Sequence, residues 1–94
     1  MSTELAVDED ISIDFTIPSK YKVILLNDDQ TPMPFVIELL VHIFNKTTAQ
    51  AEQVTMEVHA KGQGIAGIYF YEIAEQKVHE ATIVSRSNGY PLTF

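Results

Sequence analysis

Residues 21–36, YKVILLNDDQTPMPFV, join a strand pattern directly to a helix pattern. The first six of these residues are mostly β-branched or aliphatic and are followed by an Asn-Asp-Asp cluster, which predicts a strand running into a polar loop. Thr31 then offers an N-cap, and Pro32 stands at the first helical position, where a missing N–H costs little. The sequence therefore predicts a strand, a polar loop and a helix in immediate succession.

Two helices are predicted in the middle of the chain. Apolar residues recur at helical spacing over residues 35–44, so the first helix has one broad apolar stripe and ends near Asn45. Residues 47–50, Thr-Thr-Ala-Gln, offer a capping box for a second helix, and Gly62 supplies its stop.

In the last third of the chain, strand patterns again alternate with a helix pattern. Residues 65–71 predict a second strand, and residues 72–86 a third helix with acidic residues in its first turn and Arg86 in its last. Asn-Gly at 88–89 predicts a left-handed cap, and residues 90–94 predict a short strand at a sheet edge, because Pro91 cannot donate to a ladder. The order is β-α-α-β-α-β, an α+β domain in which helices cover one face of a small sheet.

Composition and charge restrict the class of protein. The chain has 94 residues, 46% of them hydrophobic, which suits a single domain. No apolar run approaches the roughly 20 residues that cross a bilayer, and zero cysteines exclude a disulfide framework or a thiolate zinc site. A net charge of −7 has the wrong sign for binding phosphates. We therefore expect a soluble, unsecreted protein that binds neither nucleic acid nor membranes and is cytoplasmic, with an organelle stroma or the cytoplasm of an infected cell as alternatives.

Negative charge is concentrated at the N-terminus. Residues 1–19 contain five acidic side chains and no Lys or Arg. The acidic residues are Glu4, Asp8, Glu9, Asp10 and Asp14. We predict a flexible acidic arm over residues 1–19 and a folded domain over residues 20–94. Apolar residues alternate with polar ones over residues 11–17, so a short strand or a docking segment stays open as an alternative.

The polar residues alone do not identify an active site. The Asn-Asp-Asp cluster and the histidines His42, His59 and His79 are raw material for a metal site or an acid–base pair. However, no two histidines lie at i, i+4, and there is neither a Gly-rich phosphate loop nor a recognisable nucleophile turn. The cluster could equally consist of turn formers, and His59 could be a helix cap. These patterns predict a small acidic binding module.

The specific string of residues 21–36 resembles the signature of the ClpS family, adaptors that hand N-degron substrates to a Clp-family AAA+ unfoldase. The similarity continues through shorter motifs to the end of the chain and covers residues 20–94. These motifs are Val58-His59, Lys61-Gly62, Gly67-Ile68-Tyr69, residues 72–78 and Tyr90-Pro91-Leu92. The resemblance implies a three-stranded antiparallel sheet with three helices on one side and no enzymatic activity. A ribosomal-stalk-like interaction domain that ignores N-terminal peptides is the alternative.

The resemblance also implies a peptide-binding site without metal or cofactor. Asn27, Asp29 and His59, with Asp28 in the same loop, would hold the free α-amino group of the substrate. The first side chain of the substrate would enter an apolar pocket. The residues lining that pocket by similarity are Leu26, Thr31, Met33, Val36, Thr55, Val58 and Leu92. Glu72 and Lys77 would contact the N-terminal domain of a ClpA- or ClpC-type unfoldase, and the protein would act as a monomer.

Three positions depart from the family pattern. Thr55 stands where many relatives carry Met, and its hydroxyl is expected to bond the carbonyl four residues earlier. Because Thr is shorter than Met, we expect more space in the pocket near the β-carbon of the substrate's first residue. The pocket should then accept β-branched first residues, Ile or Val. Pro34 replaces a common Glu, and Gln30 stands where an aromatic residue often occurs.

Overall fold

The computed structural model describes residues 18–94, and the predicted order of the first five elements is confirmed. The elements are β1 (Lys20–Leu26), α1 (Met33–His42), α2 (Thr48–Lys61), β2 (Gln63–Phe70) and α3 (Tyr71–Ser87). Nearly all of the predicted acidic arm, residues 1–17, lies outside the described residues. In residues 18–94, no helix combines the length and the apolar character that a membrane span requires.

The sheet has two strands within the described residues, so the prediction of three strands was wrong. β1 runs antiparallel to β2, with Lys20 opposite Phe70 and Leu26 opposite Gln63. Residues 90–94 contribute a single bridge, in which the Leu26 N–H donates to the Thr93 carbonyl at 3.0 Å. Because Pro91 has no N–H, this segment cannot build a regular ladder along β1.

Helix ends explain where the chain turns. The prediction of Thr31 as N-cap was wrong: Pro32 occupies that position, and α1 begins at Met33. The capping box of α2 is confirmed, because the Gln50 N–H donates to Thr47 Oγ1 at 3.1 Å and the Thr47 N–H donates to Gln50 Oε1 at 3.0 Å. Gly62 ends α2 at a φ of 89°, a left-handed conformation that glycine adopts without strain.

The core lies between the helices and one face of the sheet. Val23 and Leu25 of β1 are buried, whereas Lys20 and Lys22 are exposed, so alternate residues of the strand face opposite sides. The helices contribute the other buried apolar residues. They include Val36, Leu39 and Leu40 of α1, Ala51 and Val58 of α2, and Ala74 and Ala81 of α3. This packing places the end of β1, the first turn of α1 and the second half of α2 around one cavity.

Candidate functional site

A cavity of about 270 Å³ opens where β1 runs into its polar loop. Residues from β1, the loop, α1, α2 and the C-terminal segment line it. They are Leu25, Leu26, Asn27, Asp28, Asp29, Thr31, Met33, Val36, Thr55, Val58, His59 and Leu92. The structure thus brings together every residue that the sequence assigned to the amino-group site or the side-chain pocket. Leu25 is the additional member, and the strand pattern gave no sign that this core residue also reaches the cavity.

The floor of the cavity is apolar and closed to solvent. Leu25, Val36 and Leu92 are at most 6% exposed, and Thr55 and Val58 of α2 are equally buried. Val36 lies in the first turns of α1, while Thr55 and Val58 are three residues apart and therefore share one face of α2. Residues from four separate segments thus form a packed apolar floor, and the cavity above it could hold an apolar side chain.

The Thr55 hydroxyl is satisfied within its own helix. Thr55 Oγ1 donates to the Ala51 carbonyl at 2.8 Å, which confirms the expected bond to the carbonyl four residues earlier. A buried hydroxyl without a partner would be costly. Because this one is bonded, Thr55 can border an apolar cavity without demanding a polar partner from whatever enters it.

The mouth of the cavity is polar and more exposed than its floor. Asn27, Asp29 and His59 are all exposed, and their side chains make no hydrogen bond to other residues of the described chain. The Asn27 N–H donates to the Gly62 carbonyl at 3.0 Å, which ties the loop after β1 to the end of α2. This bond keeps the loop and the last turns of α2, which carry His59, at the same side of the opening.

Asp28 organises the loop from within. Its carboxylate accepts hydrogen bonds from the Gln30 N–H at 2.8 Å, the Thr31 N–H at 2.7 Å and the Thr31 hydroxyl at 2.8 Å. Burial raises the pKa of Asp28, but the hydrogen bonds from Gln30 and Thr31 and the charge of Arg86 outweigh it, so the pKa is lowered from its usual value. The turn-former interpretation therefore holds for Asp28, whose ionised side chain fixes the shape of the loop.

The other histidines lie away from this cavity. His42 Nε2 and Glu38 Oε1 are 2.9 Å apart on the exposed side of α1, and His79 is exposed on α3. Within residues 18–94, no three His, Asp or Glu side chains cluster closely enough to hold a metal ion.

The two residues predicted to contact an unfoldase have different surroundings. Glu72 is exposed in the first turn of α3. The Lys77 ammonium donates to the Ile43 carbonyl at 2.7 Å and lies 5.3 Å from the centre of the Tyr69 ring. Lys77 is therefore engaged in joining α3 to the end of α1.

Comparisons with known proteins agree with this architecture. The family model "ATP-dependent Clp protease adaptor protein ClpS" matches residues 16–94. The ClpS adaptor of Clostridium acetobutylicum is 49% identical over 94 residues, covering 98% of this chain and 93% of the relative. That of Shewanella piezotolerans is 49% identical over 86 residues, covering 92% and 84%. The structure of Agrobacterium tumefaciens ClpS2 bound to L-phenylalaninamide is similar with a TM-score of 0.80 at 38% identity, covering 83% of this chain and 94% of that one. Since the family model spans nearly the whole chain and close relatives match over most of their length, the chain belongs to the ClpS family of Clp protease adaptors.

Proposed function

We propose that this ClpS adaptor binds the free α-amino group and the bulky hydrophobic first side chain of N-degron substrates. It then delivers them to a ClpA- or ClpC-type AAA+ unfoldase for degradation. One observation carries the proposal: a single cavity combines a buried apolar floor with exposed hydrogen-bond acceptors at its mouth. The ligand of the related ClpS2, L-phenylalaninamide, has the matching pair of groups, an amino group beside an aromatic side chain.

The mouth suits a charged amino group. An α-ammonium has three N–H donors and needs acceptors and a negative field around it. The Asn27 side-chain carbonyl, the Asp29 carboxylate and a neutral His59 ring nitrogen supply these. A buried donor left without a partner costs about 1 to 3 kcal/mol. Acetylated or internal residues, which lack the ammonium, are rejected because they bring no positive charge to the Asp29 carboxylate and at most one N–H donor to the three acceptors.

The floor suits an apolar first residue. Burying a Phe or Leu side chain gains about 1.5 to 3 kcal/mol. Asp28 acts on this binding through the loop: by holding the Thr31 N–H and hydroxyl, it keeps the acceptors of the loop at the mouth before any ligand arrives. The adaptor binds and transfers its cargo, and no covalent step is involved.

Thr55 widens the selection to Ile and Val. Its side chain is shorter than the Met common in relatives, and its hydroxyl is directed to the Ala51 carbonyl. Space near the first β-carbon of the substrate therefore accommodates a branched side chain.

Delivery involves a second surface and the N-terminal arm. Glu72, exposed at the start of α3, contacts the N-terminal domain of the unfoldase, and Lys77 contributes from the same helix. The acidic arm, residues 1–19, assists the transfer of the substrate. The protein works as a cytoplasmic monomer.

A panel of labelled peptides that differ only at residue one tests the proposal by fluorescence anisotropy. The panel contains Phe, Leu, Ile, Val, Ala and N-acetyl-Phe. Micromolar binding of Phe or Leu peptides that disappears on acetylation is expected. His59→Ala should weaken this binding, whereas His42→Ala, a matched change of an exposed helical histidine outside the cavity, should not. If no free N-terminus binds, the proposal fails.

A further inference from the structure

The C-terminal segment that carries Leu92 has little backbone support of its own. In residues 18–94, residues 90–94 make two backbone–backbone hydrogen bonds to the rest of the fold. The Tyr90 N–H donates to the Ser85 carbonyl at 2.9 Å, and the Thr93 carbonyl accepts from the Leu26 N–H at 3.0 Å. Leu92 lies between these two points, is 1% exposed and lines the cavity. Its placement therefore requires something other than a strand ladder.

A side chain of α3 spans this gap. Nη1 of Arg86 donates to the Tyr90 carbonyl at 3.0 Å and to the Leu92 carbonyl at 2.7 Å. One nitrogen thus fixes the two carbonyls on either side of Pro91, the residue that cannot donate to a ladder. A charged donor makes a stronger bond than a neutral one. Arg86 does not itself line the cavity.

Arg86 also acts on Asp28 in the loop after β1. Burial raises the pKa of Asp28, and the positive charge of Arg86 is, after the hydrogen bonds from Gln30 and Thr31, one of the influences that lower it. The Arg86 guanidinium therefore bonds the segment that carries Leu92 and also stabilises the ionised form of Asp28, whose carboxylate shapes the loop.

We propose that Arg86 is a positioning residue of the first-side-chain pocket. By holding the Tyr90 and Leu92 carbonyls, it sets how firmly the Leu92 side chain is held in the floor of the pocket. This inference rests on the proposed function. If Leu92 is held less firmly, a long first side chain, which reaches the floor, loses more contact with it than a short side chain does. Arg86 therefore contributes to the preference for bulky first residues, although no ligand atom touches it.

Peptide binding by Arg86→Gln, Arg86→Lys and the control Lys20→Gln tests the proposal. Lys20 is exposed, lies 5.4 Å from the centre of the Phe70 ring and is not part of the cavity, so it controls for the loss of one positive charge. Arg86→Gln should weaken Phe peptides about tenfold, equivalent to about 1.4 kcal/mol, and Val peptides much less. Arg86→Lys keeps a charged group with several donors and should restore most of the preference for Phe. Lys20→Gln should bind as the wild type does.

Several outcomes would overturn the proposal. They are wild-type selectivity in Arg86→Gln, no rescue by Lys, or equal weakening of Phe and Val peptides. Amide hydrogen exchange separates this test from that of the proposed function. In Arg86→Gln, the Leu26 amide, bonded to Thr93, should exchange faster, while the Gly62 amide, bonded to Val58, should keep its rate. If the wild type binds no free N-terminus, the proposed function fails, and unchanged exchange at Leu26 would separately refute the role of Arg86.

Discussion

Replacing Thr55 by Met should narrow the range of first residues that the cavity accepts. Thr55 is 4% exposed and borders a cavity of about 270 Å³. Its hydroxyl already bonds the Ala51 carbonyl. The longer Met side chain would extend into the cavity. Overfilling a packed site costs about 1 to 3 kcal/mol.

If the space beside Thr55 is wide enough for a branched side chain, the wild-type affinities for peptides with an aliphatic first residue should depend only on the size of that residue. Leu and Ile have the same number of carbon atoms, so their burial should contribute nearly equally. Val lacks one methylene, worth about 0.8 kcal/mol, and should bind about fourfold more weakly than Ile. In Thr55→Met, the overfilling cost should fall on the β-branched residues and weaken Ile relative to Leu by roughly fivefold to 150-fold.

Competition anisotropy with Leu, Ile and Val peptides measures these ratios directly. Thr55→Val is the matched control, because it keeps the branched shape and replaces only the hydroxyl by a methyl group. The ratio of its Ile affinity to its Leu affinity should stay near that of the wild type. If wild-type protein binds Ile and Val peptides more than about a hundredfold more weakly than Leu, a deficit of more than about 2.7 kcal/mol, the reasoning about the space beside Thr55 is refuted. An unchanged ratio in Thr55→Met would show that the residue does not border the branched position.

Changes at four other positions test the loop, the cavity floor and the partner surface. Asp28→Ala should lower the free energy of unfolding by about 1 to 3 kcal/mol and reduce the affinity for every peptide by the same factor. A reduction that depends on the first residue of the peptide would contradict the role of Asp28 in the loop. Since the folded pKa of Asp28 lies below 3.8, the advantage of wild type over Asp28→Asn in chemical unfolding should persist above that pH and vanish as the pH falls through the folded pKa. Gly64→Ala places a Cβ 2.9 Å from Val58 Cγ2, so it should cost about 1 to 3 kcal/mol in thermal unfolding and weaken Phe peptides; wild-type affinity would show that Val58 moves freely. Glu72→Ala should reduce binding to an unfoldase N-terminal domain at unchanged stability, whereas Lys77→Ala should also lower the melting temperature; equal stability of the two variants would contradict the internal role of Lys77.

Local sequence signals predicted the elements whose ends depend on local chemistry. The capping box at Thr47 and Gln50 and the left-handed Gly62 satisfy backbone groups within a few residues, so their pattern is sufficient. Thr31 looked like an N-cap for the same reason, but its N–H and hydroxyl both bond Asp28, and the helix starts one residue later. The prediction of a third strand was wrong because it gave Pro91 too little weight: a residue without an N–H interrupts the ladder, and within the described residues only the bridge between Leu26 and Thr93 remains.

The cavity residues came from family resemblance and not from periodicity. Helical spacing placed Val36 and Thr55 on apolar faces, but a core interpretation served equally well. Leu25 was missed because a buried strand residue can line the cavity and fill the core at once. The contacts of Arg86 were missed because its position suggested only a charge near a helix C-terminus, whereas its two acceptors lie beyond the turn at Gly89.

The depth of the cavity cannot by itself account for useful affinity. A dissociation constant of 1 μM corresponds to about −8.2 kcal/mol, whereas burying one large apolar side chain contributes only about 1.5 to 3 kcal/mol. Under the proposed function, most of a micromolar interaction must therefore arise at the mouth, where Asn27, Asp29 and His59 would meet the ammonium. Acetylation of a Phe peptide should consequently cost more affinity than replacing its Phe by Ala. The reverse order would mean that the apolar floor, and not the mouth, decides whether a chain end is recognised.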